Sequence, residues 1–342
     1  MAGVDPGLPL SRRQVVQGVG SAGLALLAAC GRLPFQAPLH QPAKQPRLGI
    51  LWPGLAPIGP APELDAFRDG LRERGWLEGQ NLTVEYRFAE RGEGEALSLA
   101  VELVRLGVDV IAAPGTPAVR AAKNATSVIP IVMMSSSDAI ADGFVAGLAR
   151  PGGNVTGLTQ MLSQLGAKRL ELLKEIVPAI SRVAILWRNP DTGLSLRELQ
   201  VVARALELQL QSVDVEGLDE LERAFDAAAR WGADALITLR QPFTVTHRTR
   251  VAALAAERRL PAMYESRDFV DVGGLIAYGP NLPDMSRRAA TYVDKILRGE
   301  RPANLPVEQP MKFDCAINLQ TAHALGLTIP HQALLQATEV LE

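Results

Sequence analysis

At 342 residues the chain is too long for one ordinary hydrophobic core and suits two domains. Apolar residues make up 47% of it and charged residues 21%, which excludes a disordered chain. The net charge is −2 with both signs spread along the sequence, and this excludes a nucleic-acid-binding protein with a basic face.

The first 29 residues have the pattern of a secretory signal peptide. Arg12 and Arg13 precede an uncharged run over residues 18–29 that is rich in Ala, Gly and Leu. This run is well short of the ~20 residues that a membrane-spanning helix needs. The paired arginines resemble a twin-arginine export signal, and Leu-Ala-Ala-Cys at residues 27–30 resembles a lipobox. We therefore expect a protein of the periplasm or cell envelope with a membrane anchor at a lipidated Cys30. The alternative is an ordinary signal peptide in which Cys30 is incidental.

Residues 30–46 are rich in proline and have almost no hydrophobic periodicity. Such a composition is typical of a semi-rigid tether between an anchor and a folded part. We expect neither a disulfide framework nor a zinc site, because Cys315 is the only other cysteine and the four histidines are scattered along the sequence.

Strand and helix patterns alternate from residue 47 onward. The predicted strands of the first half span residues 47–52, 81–87, 109–113, 129–134 and 155–158. The helices between them span residues 63–74, 96–106 and 138–149, and one more opens at Pro117. The second half repeats the pattern with strands at residues 183–187, 209–215, 235–239, 261–264 and 274–278. This alternation predicts right-handed βαβ units and parallel sheets covered on both faces.

A glycine-rich break at residues 150–157 separates the two halves. The predicted fold is therefore α/β, with two Rossmann-like lobes whose parallel sheets are joined by a hinge. Lobe 1 is expected at residues 47–160 and lobe 2 at residues 161–278, with residues 279–342 as a return segment that completes both. Gly152 and Gly153 are the candidate hinge residues, and the alternative is that they only make a tight turn.

Ligands of open α/β sheets bind outside the carboxyl ends of the strands, and in two facing sheets these ends line one cleft. Their loops offer hydroxyls, amides and helix N-termini, which suit a small anionic or zwitterionic ligand. The candidate ligand-binding residues are Gly115, Thr116, Ser136, Asp138, Asn189, Arg240, Gln241, Glu265 and Tyr278. The alternatives are helix capping for Gly115, Thr116 and Asp138, a solvated side chain for Arg240 and a plug of the lobe interface for Tyr278.

Enzyme motifs are missing from the sequence. It has no G-x-S-x-G elbow, no G-x-x-x-x-G-K-[ST] loop and no H-E-x-x-H, and the loop after the first strand is not G-x-G-x-x-G. We therefore expect no catalytic residues, no cofactor and no metal. A nucleophile among Ser135, Ser136 and Ser137 is the less favoured alternative, because no histidine lies in a comparable strand-end loop.

Several stretches carry a family resemblance in the same order along the chain. They are GWLEGQNL at residues 75–82, LARPGGNVTG at residues 148–157, GGLIAYG at residues 273–279, LPVEQP at residues 305–310 and NLQTAHALGLTIP at residues 318–330. From about residue 47 to its end the chain resembles the extracytoplasmic substrate-binding proteins of ABC-type uptake systems that include tryptophan and tyrosine binders. The resemblance implies a type I periplasmic-binding-protein fold that closes on a small molecule and does no chemistry. It also implies an ABC permease and its ATPase as partners.

The resemblance does not fix the ligand. Relatives that resemble aromatic amino-acid binders have Asp-Pro where this chain has Asp138-Ala139, and an acidic Asp-Asn pair where it has Arg240-Gln241. The expected ligand is therefore small and polar or amino-acid-like. The alternative function is a sensing module that reports ligand binding to a membrane partner without transport.

Overall fold

A computed structural model describes residues 45–57, 59, 61–160, 162–187, 193–215, 217–239 and 242–342. The predicted signal peptide, the tether up to residue 44 and four candidate residues lie outside these ranges, namely Cys30, Asn189, Arg240 and Gln241. The chain divides into two units, Met1–Gln45 and Pro46–Glu342, and the second holds every strand and helix described below. In the described ranges, no helix has the length and apolar character that a membrane span requires.

The strands form two sheets. The first contains β1 (Arg47–Pro53), β2 (Thr83–Ala89), β3 (Val110–Pro114), β4 (Ile131–Ser136) and β5 (Val155–Thr159). The second contains β6 (Arg182–Trp187), β7 (Gln209–Asp214), β8 (Ala235–Thr238), β9 (Ala262–Tyr264), β10 (Ile276–Pro280), β11 (Phe313–Asn318) and β12 (Glu339–Leu341).

Eleven α-helices are present in the described ranges. They are α1 (Pro62–Glu73), α2 (Glu93–Arg105), α3 (Gly115–Ala125), α4 (Leu162–Ile176), α5 (Gly193–Ala205), α6 (Leu218–Trp231), α7 (Pro242–Thr246), α8 (Arg248–Glu257), α9 (Leu282–Leu297), α10 (Leu319–Ala324) and α11 (His331–Gln336). Short 3-10 helices lie at Arg267–Phe269 and Pro302–Asn304.

The first sheet is entirely parallel and has the strand order β2-β1-β3-β4-β5. Strands β3, β4 and β5 are buried along their whole length, which is the pattern of a parallel sheet covered on both faces. Helices α2 and α3 cover one face, and α1 and α9 cover the other. We call this sheet with these four helices lobe 1.

Helix α1 shows how the sequence specifies this packing. Pro62 starts the helix, where its fixed backbone angle is favourable. Leu64, Phe67 and Leu71 recur at helical spacing and are buried, and they belong to the same core as the buried side chains of α9. A side chain at Gly70 would place its Cβ 2.5 Å from the carbonyl oxygen of Arg287, so glycine is required where the two helices meet.

The second sheet has the order β12-β11-β10-β9-β8-β6-β7. All neighbouring pairs are parallel except β10 and β11, which are antiparallel. Helices α4, α5, α10 and α11 contribute to the core on one face, and α6 and α8 to the core on the other. We call this sheet with these helices lobe 2.

Within the described ranges the chain passes between the lobes three times. The first passage joins β5 to α4, the second joins β10 to α9 through Asn281, and the third runs from Glu308 to β11. Glu308 forms a bridge with Leu158 on β5, and Pro280 at the end of β10 pairs with Phe313 at the start of β11. Because the first two passages leave from the carboxyl ends of β5 and β10, the carboxyl edges of the two sheets border one cleft.

The α/β prediction with two parallel-sheet lobes is confirmed, and three details of the predicted elements were wrong. Residues 138–149 do not form a helix but a series of turns, because Gly143 has a left-handed φ of +68° that interrupts helical hydrogen bonding. The second sheet has seven strands rather than about five. One of the added strands, β11, is antiparallel to its neighbour β10.

Candidate functional site

The loop between β3 and α3 lies at the cleft edge of lobe 1. Gly115 has a φ of +76°, which glycine adopts easily, and it opens α3. The Thr116 hydroxyl accepts a hydrogen bond from the Ser137 amide at 3.0 Å and donates one to Asp142 Oδ2 at 3.2 Å. That hydroxyl therefore ties two strand-end loops together inside lobe 1.

Asp142 is a charged group at this edge that sequence reasoning missed. Burial raises the pKa of its carboxyl group, although the hydrogen bonds from Thr116 and Asp138 and the Arg120 guanidinium act in the opposite direction. Arg120 Nη2 lies 3.3 Å from Asp142 Oδ1. Asp138 Oδ1 accepts hydrogen bonds from the amides of Ile140 and Ala141, both at 3.0 Å. Asp138 thus caps a turn, as the capping alternative expected, although no helix follows.

Two uncharged side chains lie where the neighbouring strands β4 and β5 end, Ser136 as the last residue of β4 and Gln160 directly after β5. Ser136 is fully buried, and its Oγ has no hydrogen-bond partner among the described residues. The backbone N–H of Gln160 donates a hydrogen bond to the backbone carbonyl oxygen of Ser136 at 2.7 Å, which holds the two strand ends together. The Gln160 side chain is buried too, and its Oε1 has no partner in the described ranges.

Lobe 2 presents three more buried polar groups at the carboxyl ends of neighbouring strands. They are the Trp187 indole N–H at the end of β6, the Thr238 hydroxyl at the end of β8 and the Ser266 hydroxyl just after β9. Each side chain is more than nine-tenths buried. None of the three atoms has a hydrogen-bond partner among the residues that the structure describes.

Glu265 and Tyr278 lie at the same edge of lobe 2. Glu265 is buried and forms an ion pair with Arg169 of α4, with 3.3 Å between Oε1 and Nη1. The Tyr278 carbonyl oxygen accepts a hydrogen bond from Arg169 Nε at 2.8 Å. The Tyr278 ring stacks on Phe313 with 5.9 Å between the ring centroids, and burial raises the pKa of its hydroxyl.

The structure therefore places the described candidate residues at the two cleft edges. Gly115, Thr116, Ser136 and Asp138 lie in lobe 1, and Glu265 and Tyr278 lie in lobe 2. Asn189, Arg240 and Gln241 lie outside the described residues. In the described ranges, no group of three or more His, Cys, Asp or Glu side chains is arranged to hold a metal ion.

Sequence reasoning missed Gln160, Trp187, Thr238 and Arg169. The first three end or directly follow buried strands, so the rule that ligands lie outside strand ends contained the signal. Arg169 lies in the middle of a helix beside Lys168, a pattern typical of a solvated face.

The candidate hinge glycines are placed away from the passages between lobes. Gly152 has a φ of +80°, and no atom lies within 4 Å of a Cβ built at Gly153. Both precede the amino end of β5, whereas the chain leaves lobe 1 after the carboxyl end of that strand. Their position favours the tight-turn alternative over the hinge.

Comparison with known proteins adds a family match. The family described as ABC transporter substrate binding protein matches residues 61–341 of this chain. Among curated proteins, the chain is similar to the tyrosine-binding protein of Clostridioides difficile strain R20291. The two are 25% identical over 280 residues, which are 80% of each chain.

Two crystal structures have a similar fold. One is an ABC domain from Streptococcus pneumoniae in complex with L-Trp, which is 23% identical, with a TM-score of 0.78 over 87% of this chain and 100% of that one. The other is a conserved domain protein from Vibrio cholerae, which is 28% identical, with the same TM-score and coverage.

Proposed function

The chain belongs to the ABC transporter substrate binding protein family, and from this premise we propose that it captures a small polar or amino-acid-like ligand in the cleft between the lobes. The observation that carries the proposal is a set of five buried polar atoms at the strand ends that have no partner among the described residues. They belong to Ser136, Gln160, Trp187, Thr238 and Ser266.

A buried polar group without a hydrogen bond costs about 1–3 kcal/mol, so native proteins leave few of them. Among the described residues, these five lie at the two cleft edges, where a bound ligand would supply the missing partners, whereas Gln45 and Gln211 each hold one such atom elsewhere. Four of them donate and four accept, counting each hydroxyl in both roles. This mixed, uncharged set suits a ligand with both kinds of group. The relatives named for tyrosine and for a complex with L-Trp support an amino acid as the first class to test.

Ligand capture is expected to close the two lobes. A ligand that contacts both cleft edges binds the closed arrangement more tightly than the open one, and it shifts the equilibrium by that difference. The pivot in this proposal is the set of three passages, with Asn281 and residues 309–312 in place of Gly152 and Gly153. An ABC permease then recognises the closed form, its ATPase drives uptake, and the binding protein does no chemistry.

Substrate-binding proteins of ABC transporters work outside the cytoplasm. For this chain we further propose a lipid anchor at Cys30 and, from the paired Arg12 and Arg13, export by the twin-arginine route. The lipobox-like residues 27–30 and the proline-rich tether support the anchor.

The test measures binding of L-tyrosine, L-tryptophan and the other amino acids by thermal shift, followed by calorimetry on those that stabilise the protein. Thr238→Val and Ser266→Ala each remove one predicted ligand hydrogen bond. Each is expected to weaken binding roughly 3- to 10-fold. Without ligand both variants should be as stable as the wild type or more so, because each removes a buried hydroxyl that has no partner in the described ranges.

Ser98→Ala is the matched control, since Ser98 is exposed on α2 and bonds only to its own helix. Its affinity should equal that of the wild type. Unchanged affinity in both Thr238→Val and Ser266→Ala would contradict the proposed site.

A further inference from the structure

Arg169 and Glu265 are the two buried charged side chains among the described residues, exposed by 1% and 3%. Arg169 is also the largest side chain that is fully buried in the described ranges. It projects from α4, the first helix after the chain enters lobe 2. A charge so far from water is costly unless it is paired and hydrogen-bonded.

The Arg169 guanidinium joins three elements of lobe 2. Its Nη1 lies 3.3 Å from Glu265 Oε1, directly after β9, and its Nε donates to the Tyr278 carbonyl oxygen on β10 at 2.8 Å. A Cβ at Gly279 would lie 2.0 Å from the Glu265 carbonyl oxygen and 3.7 Å from Arg169 Nη2. Glycine is therefore required at the point where the ends of β9 and β10 approach the guanidinium.

Stability alone does not account for this pair. Replacing a buried ion pair with apolar residues of similar volume is often neutral or stabilising, because desolvation of the two charges offsets their attraction. The pair lies at the cleft edge, and Ser266 follows Glu265 directly. The Ser266 and Thr238 hydroxyls at the ends of β9 and β8 are buried and without a partner in the described ranges. Buried polar groups of this kind indicate that this edge holds a ligand.

We propose that Glu265 binds the ammonium group of an α-amino-acid ligand and that Arg169 is the positioning residue that holds the Glu265 carboxylate in place. The inference rests on the proposed function and adds the group that the lobe 2 edge recognises. Glu265 supplies the negative charge that an ammonium requires, and Arg169 holds that carboxylate in its orientation. Ser266 and Thr238 bind the remaining polar atoms of the same ligand.

The experiment compares two probes that differ only in the ammonium group, L-tyrosine and 3-(4-hydroxyphenyl)propionate. The wild type is expected to bind L-tyrosine roughly 100-fold more tightly, which is the size of a charge-assisted hydrogen bond. In Glu265→Gln this preference should fall below roughly tenfold. Arg169→Lys keeps the charge but loses the planar fork, so it should retain a preference between those of the wild type and Glu265→Gln.

The double variant Arg169→Met with Glu265→Leu separates recognition from folding. It should unfold close to the wild-type temperature, because no unpaired charge is left, and yet bind both probes equally. Arg169→Met alone should unfold at a lower temperature. The matched control is Arg258→Met with Asp226→Leu, which removes a surface pair with 2.7 Å between its atoms and should leave the preference unchanged.

The outcomes are distinguishable. A double variant or Glu265→Gln that keeps the wild-type preference for L-tyrosine overturns this inference and leaves the proposed function standing. A wild type that binds neither L-tyrosine nor any other amino acid overturns the inference together with the proposed ligand class.

Discussion

Gly279→Ala tests the close approach of β9 and β10 beneath the cleft edge. The new Cβ would lie 2.0 Å from the Glu265 carbonyl oxygen, whereas ordinary contact begins at 3.4 Å, so these atoms must move apart by about 1.4 Å. The displaced atom is backbone, and both strand ends are held by Arg169. Neither strand end can relax as a flexible side chain would.

The free energy of unfolding should fall by about 3 kcal/mol, the upper end of the cost of overpacking a well-packed interior. Replacing glycine also lowers the entropy of the unfolded chain, which raises the free energy of unfolding by about 0.4–1 kcal/mol. The net loss is then about 2–3 kcal/mol. For a folding unit of the size of lobe 2 this corresponds to a decrease of roughly 5–10 °C in the unfolding temperature.

Calorimetry and urea unfolding followed by circular dichroism measure this change. Gly153→Ala is the matched control, because its φ is not left-handed and no atom lies within 4 Å of the new Cβ. Its stability should equal or slightly exceed that of the wild type. A Gly279→Ala protein as stable as Gly153→Ala would show that the two strand ends are not held in close contact.

Three further predictions concern ionisation, the hinge and the anchor. Burial raises the pKa of all four tyrosines, that of Tyr86 to about 12, so absorbance at 295 nm should show tyrosinate at a higher pH in the folded than in the unfolded protein. Because the folded state favours the neutral phenol, this stabilisation is complete below the ordinary tyrosine pKa of about 10 and is lost as the pH rises toward 12. A native titration with a midpoint near 10 would contradict it. Asn281→Ala removes the bonds from Asn281 to Asp314 at 2.9 Å and from the Asp284 amide at 2.8 Å. It should lower the free energy of unfolding by about 1–2 kcal/mol and broaden the distribution of interatomic distances that small-angle scattering gives for the ligand-free protein. An unchanged distribution would argue against a pivot at Asn281. A radioactive fatty acid should label the wild type but not Cys30→Ala, and labelling of both would exclude Cys30 as the anchor.

The sequence predicted most of the strands because their signals are local. Runs such as residues 109–113 and 129–134 are apolar, short and bounded by turn residues, and β3 and β4 lie within one or two residues of them. The prediction of a helix over residues 138–149 was wrong for a local reason as well. The Asp138 carboxylate caps only the first turn, and Gly143 then takes a left-handed conformation that a periodicity count does not register.

Local sequence patterns did not predict which distant segments of the chain pair with one another. The apolar stripe of α9 is a local feature of the sequence, but it does not show that this helix packs on α1 in lobe 1. In the same way, the antiparallel register of β11 with β10 depends on the passage between the lobes that precedes β11.

The candidate site was predictable in part. The rule that ligands lie outside strand ends led to Ser136 and Glu265, which are buried at the cleft edges. It did not lead to Arg169, because a charged residue in the middle of a helix is usually solvated. Its burial depends on the ends of β9 and β10, which only the folded chain brings to it.

The position of α9 has a consequence for the order in which the protein folds during synthesis and export. The Trp76 indole N–H donates to Asp294 at 2.9 Å, and these residues are 218 positions apart in the chain. The apolar stripe of α1 therefore stays uncovered until almost the whole polypeptide has emerged. Contacts across such separations form slowly, since a long loop must close first. The sheet of lobe 2 is also incomplete at that stage, because β11 and β12 follow α9 in the chain. Release of the chain before residue 297 would therefore leave both lobes unfinished, although the first strand of lobe 1 begins at residue 47.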